Sequence, residues 1–309
     1  MGGELAILVP GGTGQLGTEL ARTGLAGGAS VEAPGSAELN VAEVNSVLAS
    51  VAGFAERARG EGRHPVVINA AAYTAVDAAE QDEAAAFAVN ADGPRVLAAA
   101  CAAHRVPLLH VSTDYVFDGT ASEPYEPDDQ VRPTSAYGRT KLAGEQAVLR
   151  SGARAWVVRT SWVYGGTGQN FVRTMVRLAG ERAELSVVDD QRGAPTWAAD
   201  LAAGLVELAE WVVGGHPPEA AVLHCTNGGA TTWYEFARAI FSELGTDPDR
   251  VRPCGTADFP RPAARPAYSV LSAAAWQDAG LTPPRPWREA LTAFFVAHGE
   301  QLRGGTSDR

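Results

Sequence analysis

Residues 5–20 read LAILVPGGTGQLGTEL: an apolar run, a glycine-rich turn, then the start of a stretch of helix formers. Leu5–Val9 carries no polar side chain, as a strand covered on both faces requires. Gly11, Gly14 and Gly17 follow at three-residue spacing, with Gln15 and Leu16 opening the helix between them. Such glycines permit a tight turn, close approach of a phosphate to backbone N–H groups, and close packing of helix on strand. The positive end of the helix dipole favours an anion at the same place. Between a strand and a helix, this turn points to a dinucleotide; a purely structural glycine turn is the alternative.

The next segments repeat the strand–helix pattern. Val66–Asn69, Leu108–Ser112 and Ala155–Arg159 read as strands, with Gln81–Ala103 and Ser135–Arg150 as helices between them. This alternation predicts parallel βαβ units and hence an α/β fold with a Rossmann-type, doubly wound parallel sheet. Past residue 166 the pattern changes. Phe171–Leu178, Asp200–Val213 and Tyr234–Leu244 read as helices, Leu185–Val188 and Ala221–Cys225 as short strands. Two Pro-rich stretches precede a last helix around Trp287–His298. The expected division is a dinucleotide-binding domain over 1–165 and a smaller, mixed substrate-binding domain over 166–309, with some segments returning to the first. The terminal GGTSDR is expected to be disordered.

Composition narrows the function. The 309 residues are 46% hydrophobic and 20% charged, ordinary for a globular enzyme. A formal charge of −11 argues against nucleic acid and anionic membrane surfaces as partners. Cys101, Cys225 and Cys254 form no CxxC and suggest neither a zinc ribbon nor a disulfide framework. No apolar run reaches membrane-spanning length, and LAILV is too short for a signal sequence. A cytoplasmic protein is expected.

In SAYGRTKLAGE, residues 135–145, Tyr137 and Lys141 stand one helical turn apart on one face. Tyrosine ordinarily holds its proton to about 10. A neighbouring ammonium favours the phenolate and lowers that value. Alone, the spacing also suits two ordinary helix residues. The remaining blocks are INAAAYTAVDAAE (68–80), VSTDYVFDGT (111–120), PTSAYGRTKLAGEQAV (133–148), VVRTSWVYG (157–165) and VVDDQRGAPTWAADLA (187–202). In this order they resemble the dTDP-4-dehydrorhamnose reductases, of the extended short-chain dehydrogenase/reductase superfamily. The likeness runs from residue 5 to about residue 300.

The resemblance implies NADPH or NADH as cofactor. It implies a dTDP-4-dehydro-6-deoxy sugar as substrate: dTDP-4-dehydro-L-rhamnose, or a related dTDP-keto-sugar of a natural-product pathway. It makes Tyr137 the proton donor to the 4-keto oxygen, Lys141 its tuner and a partner of the nicotinamide ribose, and Thr113 a strand-end hydroxyl beside them. Ser112 is the weaker neighbour, expected to pack or to cap a turn. Asn40, Val41 and the strip Ala70, Ala71, Ala72 match cofactor positions, though the alanines would equally suit helix packing. Thr74, Val76, Tyr115, Trp162 and Asn170 match positions lining the sugar site; Tyr115 and Trp162 would also serve as core aromatics. Arg265 stands either beside a diphosphate, which suits its planar fork, or solvated in its Pro-rich loop.

The sequence departs from the family in two places. Gly35 and Ser36 occupy the position of an Asp-Arg pair, and Asn40 replaces an aspartate, so no acid is expected at the adenosine ribose. Some members bind a divalent metal such as Mg2+ at a dimer interface through glutamates. Glu19 matches one of these, but Ala198 and Ala199 offer it no partner, and a solvated Glu19 is expected. No metal site is therefore assigned, and monomer and homodimer both stay open. His110 and His224, on apolar strands, are expected to be structural. Among rivals, a 4,6-dehydratase would need a second acid where Tyr115 stands, and a 3,5-epimerising reductase a cysteine that VSTDYVFDG lacks. A non-catalytic regulatory subunit like that of methionine adenosyltransferase would not need Thr113, Tyr137 and Lys141 together.

Overall fold

The computed structural model describes residues 5–304. Of the terminal GGTSDR, residues 305–309 lie outside that range and Gly304 closes the last helix. The first half runs β1 (Leu5–Leu8), α1 (Gln15–Ala26), β2 (Ser30–Glu32), α2 (Val44–Gly60) and β3 (His64–Asn69). It continues through α3 (Val76–Ala79), α4 (Glu83–Phe87), a π-helical turn (Ala88–Asp92) and α5 (Gly93–His104). Then come β4 (Leu108–Thr113), a 3-10 turn (Asp114–Val116), α6 (Ala136–Leu149) and β5 (Ala155–Thr160).

The second half opens with β6 (Val163–Tyr164), α7 (Phe171–Glu181), β7 (Leu185–Val188), β8 (Arg192–Gly193), β9 (Thr196–Trp197) and α8 (Ala198–Val213). It ends with β10 (Val222–His224), β11 (Thr231–Thr232), α9 (Trp233–Glu243), β12 (Val251–Cys254), α10 (Ala274–Asp278) and α11 (Trp287–Gly304). Among the described residues, no helix is long and apolar enough to cross a membrane.

Six strands form one parallel sheet in the order β10-β5-β4-β3-β1-β2. Every residue of β1 is buried, because α1 and α8 cover one face and α2 and α5 the other. The chain turns from β1 outward to β2 and returns on the far side to β3. The gap above β1 and β3 is therefore the topological switch point, where open α/β sheets bind ligands. Strand β10 reaches the sheet from late in the chain and pairs with β5. α8 and α10 pack on the sheet, while α7, α9 and α11 build a separate core around Tyr164, Phe236, Ile240 and Phe294. Its strands pair only two by two.

One expected helix is not continuous. Gln81–Ala103 is divided into α4, capped by the Asp82 side chain, then the π turn, then α5. The π turn brings Asn90 inward. Its amide accepts from the Tyr73 N–H at 2.8 Å, and donates to the Tyr73 carbonyl and the Thr140 hydroxyl, both at 3.1 Å. It thereby ties the segment after β3 to α6.

Behind α6 lies a buried ion pair. The Arg159 guanidinium on β5 grips Glu145 through two hydrogen bonds of 2.9 and 2.8 Å, and also donates to the Pro127 carbonyl. Removing one member would strand the other charge away from water, which costs about 3–5 kcal/mol. Glu145→Ala is expected to lower unfolding stability by that amount in urea titration, with a loss under about 1 kcal/mol counting against the pair as the anchor of α6.

Candidate active site

The glycine turn is shaped by backbone contact. Gly11 has φ +81, and a Cβ there would lie 2.7 Å from the Ala71 nitrogen. A Cβ on Gly12 would lie 2.1 Å from the Ala33 oxygen, and one on Gly17 2.2 Å from the Gly11 oxygen. Gly14 caps α1 with no side-chain bond, so the helix N-terminus at Gln15 and Leu16 has no protein carboxylate in its first turn. Facing the turn, Ala70, Ala71 and Ala72 leave β3 half-buried, with Ala70 N–H donating to the Pro10 carbonyl. Asn40 is exposed and accepts from Ala42 N–H; Val41 is buried. Uncapped N–H groups, small side chains and the switch point suit a dinucleotide phosphate.

The expectation of no acid near the ribose position needs correction. Glu38 folds back so that its carboxylate accepts from the Gly35 N–H at 2.9 Å. It comes from three residues downstream, which hid it in the sequence. Arg57, the nearby cation of the same face, is held by Glu32 at 2.7 and 3.1 Å.

Thr113 ends β4, and Tyr137 and Lys141 lie on successive turns of α6, which Ser135 caps through Gly138 N–H. The Thr113 hydroxyl favours the ionised form of the Tyr137 phenol. Thr113 Oγ1 also donates to Asp114 Oδ1 at 3.0 Å and accepts from the Tyr115 N–H at 3.2 Å. The Tyr115 ring meets Tyr137 edge-on, with centroids 5.5 Å apart. Lys141 is 2% exposed and donates to the Val111 carbonyl at 2.7 Å.

The charge states also differ from expectation. Lys141 does not bring the phenol down. Burial pushes Tyr137 up to about 12, against the Thr113 hydroxyl and with help from the Asp114 charge. The physical reason is dehydration of the whole site. Burial brings Lys141 itself down to about 8, against the pull of Glu145, and pushes Asp114 up to about 6. Beneath them His110 is buried, with Nδ1 3.1 Å from the Asn69 amide and its pKa held well below the usual range by burial and then by Lys141. His224 is likewise held down, to about 3, by burial. Ser112 is buried and its hydroxyl has no hydrogen-bond partner.

On the far side of Tyr115 from Tyr137 opens a cavity of about 750 Å³, lined by Tyr115, Asp77, Arg265, Arg261, Phe171 and Trp233. Arg265 is half-buried rather than freely solvated. It donates to both Asp77 oxygens, at 2.5 and 2.9 Å. Val76 packs with Tyr73, Tyr115 and Tyr137, while Thr74 is exposed. Trp162 has φ +47, unusual for a bulky residue, and stacks on Trp233 with centroids 3.6 Å apart. Asn170 caps α7 and donates to Gln15 Oε1 at 2.9 Å, so it closes the glycine-turn side of the site. Asn90 and Trp233 carried no motif signal, and Asp77, though inside the 68–80 block, was not singled out; their partners are set by topology.

Glu19 also departs from expectation. It is 6% exposed and paired with Arg22 at 2.6 Å, since α1 lies against α8. Among the described residues, no group of three or more His, Cys, Asp or Glu side chains is placed to hold a metal ion. All three cysteines are free, Cys101 and Cys225 buried and Cys254 half-buried.

Fold and site together define a Rossmann-type enzyme class with the Thr-Tyr-Lys set of the short-chain dehydrogenases. The sequence model of the RmlD substrate binding domain matches residues 5–299. A dTDP-4-dehydrorhamnose reductase of Mycobacterium tuberculosis is 48% identical, covering 94% of this chain and 92% of that protein. A protein of Streptomyces antibioticus named as a probable dTDP-4,6-dihydroxy-2-methyloxan-3-one 4-ketoreductase is also 48% identical, over 93% and 94%. The crystal structure of a Bacillus anthracis dTDP-4-dehydrorhamnose reductase in complex with NADP superposes with a TM-score of 0.87 at 35% identity, over 95% and 99% of the two chains. The chain belongs to the dTDP-4-dehydrorhamnose reductase family.

The tryptophan stack yields a direct test. A Cβ on Gly193 would lie 2.5 Å from the Trp162 ring. Gly193→Ala is expected to separate the two indoles, abolishing the exciton-coupled circular dichroism of the wild type; an unchanged band would show that Trp162 does not depend on Gly193.

Proposed function

We propose that this chain reduces the 4-keto group of a dTDP-4-dehydro-6-deoxy sugar with NADPH or NADH, taking dTDP-4-dehydro-L-rhamnose to dTDP-L-rhamnose. The observation that carries the proposal is the buried Tyr137 phenol, one helical turn from the buried Lys141, with Tyr115 between it and the 750 Å³ cavity. A bound nicotinamide supplies hydride to the carbonyl carbon. Tyr137 then donates its proton to the oxygen on which negative charge develops. A phenol held near 12 is fully protonated at neutral pH, the state a donor in the reducing direction needs. Lys141, an ammonium below about 8, donates to the Val111 carbonyl on β4 and would hold the nicotinamide ribose. Gly11, Gly14, Gln15, Leu16, Gly17, Asn40, Val41 and Ala70–Ala72 would carry the rest of the cofactor.

On the sugar side, Thr74, Val76, Tyr115, Trp162 and Asn170 would surround the ring, and Arg265 would meet the diphosphate. The proposal includes a division near residue 165, a cytoplasmic location, and a monomer or homodimer. The two equally similar relatives are named for different keto-sugars, so the sugar is decided by product analysis with a panel of dTDP-keto-sugars.

Two variants test the roles. Tyr137→Phe is expected to lose about 10²–10⁴-fold in kcat while binding reduced cofactor as before, and retained turnover would remove Tyr137 as the donor. The Glu38 carboxylate accepts from the Gly35 N–H, and its negative charge would repel a 2′-phosphate bound beside that loop. Glu38→Gln is expected to tighten NADPH relative to NADH by up to about tenfold in fluorescence titration, equivalent to about 1.4 kcal/mol. An unchanged ratio would place Glu38 outside cofactor choice.

A further inference from the structure

The charges around the cavity beyond Tyr115 do not balance. Asp77, Arg182, Glu184, Arg261 and Arg265 line it and leave one positive charge, in a chain of net charge −11. Arg265 is engaged by Asp77, donating to both its oxygens. Glu184 lies two residues from Arg182 and is bonded by Arg252 at 2.9 Å. Arg261 has no acid beside it in this way. Among the described residues its guanidinium makes no hydrogen bond and no ion pair, and it lies over the Phe259 ring, 4.8 Å from the centroid. Stacking on an aromatic face holds the plane of a guanidinium and leaves its N–H edge free.

The loop that carries Arg261 is pinned on both sides. Before it, the Asp190 carboxylate accepts from the Thr256 N–H at 2.7 Å and from the Thr256 hydroxyl at 2.6 Å, and Gln191 donates to that hydroxyl at 2.9 Å. After it, the Ala263 N–H donates to Asp77 at 3.2 Å. Pro260 and Pro262 flank Arg261, each with a fixed φ that stiffens the loop. The Arg265 hydrogen bond above all, and the Arg261 charge in addition, holds Asp77 below the usual carboxylate range, so both guanidinium groups act on one space. We propose that Arg261, braced by Phe259, is a binding residue for the substrate's diphosphate, supplying the unpaired cation that Arg265 alone does not. The fork of an arginine meets two phosphate oxygens at once. This rests on the dTDP-sugar reading given above.

The test titrates dTDP, which carries the diphosphate and needs no turnover, into the whole chain with reduced cofactor bound. Arg261→Ala is expected to weaken dTDP about tenfold, the loss of a hydrogen-bonded charge. It should raise KM for a dTDP-4-keto-sugar by the same factor, as a contact kept from ground state to transition state does. Its dTDP affinity should also fall less steeply with added salt than that of the wild type. Arg261→Lys should restore the salt dependence but only part of the affinity, since it keeps the charge and loses the fork. Arg182→Ala removes the same charge from the same cavity and is expected to cost under about threefold. Phe259→Leu should cost about threefold alone and nothing further in the Arg261→Ala background. An Arg261→Ala loss under about twofold, an unchanged salt slope, an equal loss in Arg182→Ala or an additive Phe259→Leu loss overturns the proposal. A wild type that binds dTDP but reduces no dTDP-4-keto-sugar refutes the proposed reaction and leaves the titration to decide on Arg261. A wild type that binds no dTDP overturns both.

Discussion

The structure rests on one close approach. The turn after β1 and the strip after β3 meet backbone to backbone, and a Cβ on Gly11 would collide with Ala71. The same turn is pressed from behind by Ala33 at Gly12 and from its own helix at Gly17. Three sets of backbone atoms thus converge where side chains would have kept them apart. Their convergence leaves the α1 N-terminus open over the switch point and puts the end of β4 alongside it. Every group assigned to the reaction is placed with respect to this junction.

Holding α6 against the sheet is the second requirement, and it is met by buried polar contacts. Asn90 bonds Thr140, Lys141 bonds the Val111 carbonyl, and Glu145 bonds Arg159. A Cβ on Gly144 would lie 2.0 Å from the Asn90 oxygen, so the helix comes as near to the π turn as backbone permits. An apolar face would have allowed the helix to slide or rotate. Directional bonds at 140, 141 and 145 fix its rotation, and with it the direction of the Tyr137 hydroxyl. The interrupted helix before α5 is the consequence: the π turn exists because Asn90 has to point inward.

The glycine turn, five of the six strands of the parallel sheet, the strand end at Thr113 and the helix carrying Tyr137 and Lys141 were legible because each is local, whereas the three-residue strand β2 was not. Glu38, Asp77, Asn90 and Trp233 were not. Asp77 meets Arg265 across 188 positions, and Trp162 meets Trp233 only because Gly193 leaves room for the indole. Nothing in the local pattern near any of them reports its partner. The tuning of Tyr137 failed for a different reason. Helical spacing put the ammonium one turn away, but spacing carries no information on burial, and burial decided the protonation of all three groups.

That dehydrated site stands in a chain of net charge −11. A dianionic diphosphate approaching it needs local cations to outweigh the general repulsion. Arg261 and Arg265 line the cavity, but Arg265 is already neutralised by Asp77. The pairing has a useful side. A guanidinium presents five N–H donors in a rigid fork, and Asp77 fixes its plane before any ligand arrives. Ordering the side chain in advance reduces the entropy lost on binding, while donors taken by neither Asp77 nor the Ala263 carbonyl stay available. A phosphate that displaced Asp77 would free a carboxylate in the same cavity, next to Tyr115, which would oppose binding. For the proposed contact of Arg265 with the diphosphate, electrostatics therefore favours sharing the guanidinium with Asp77.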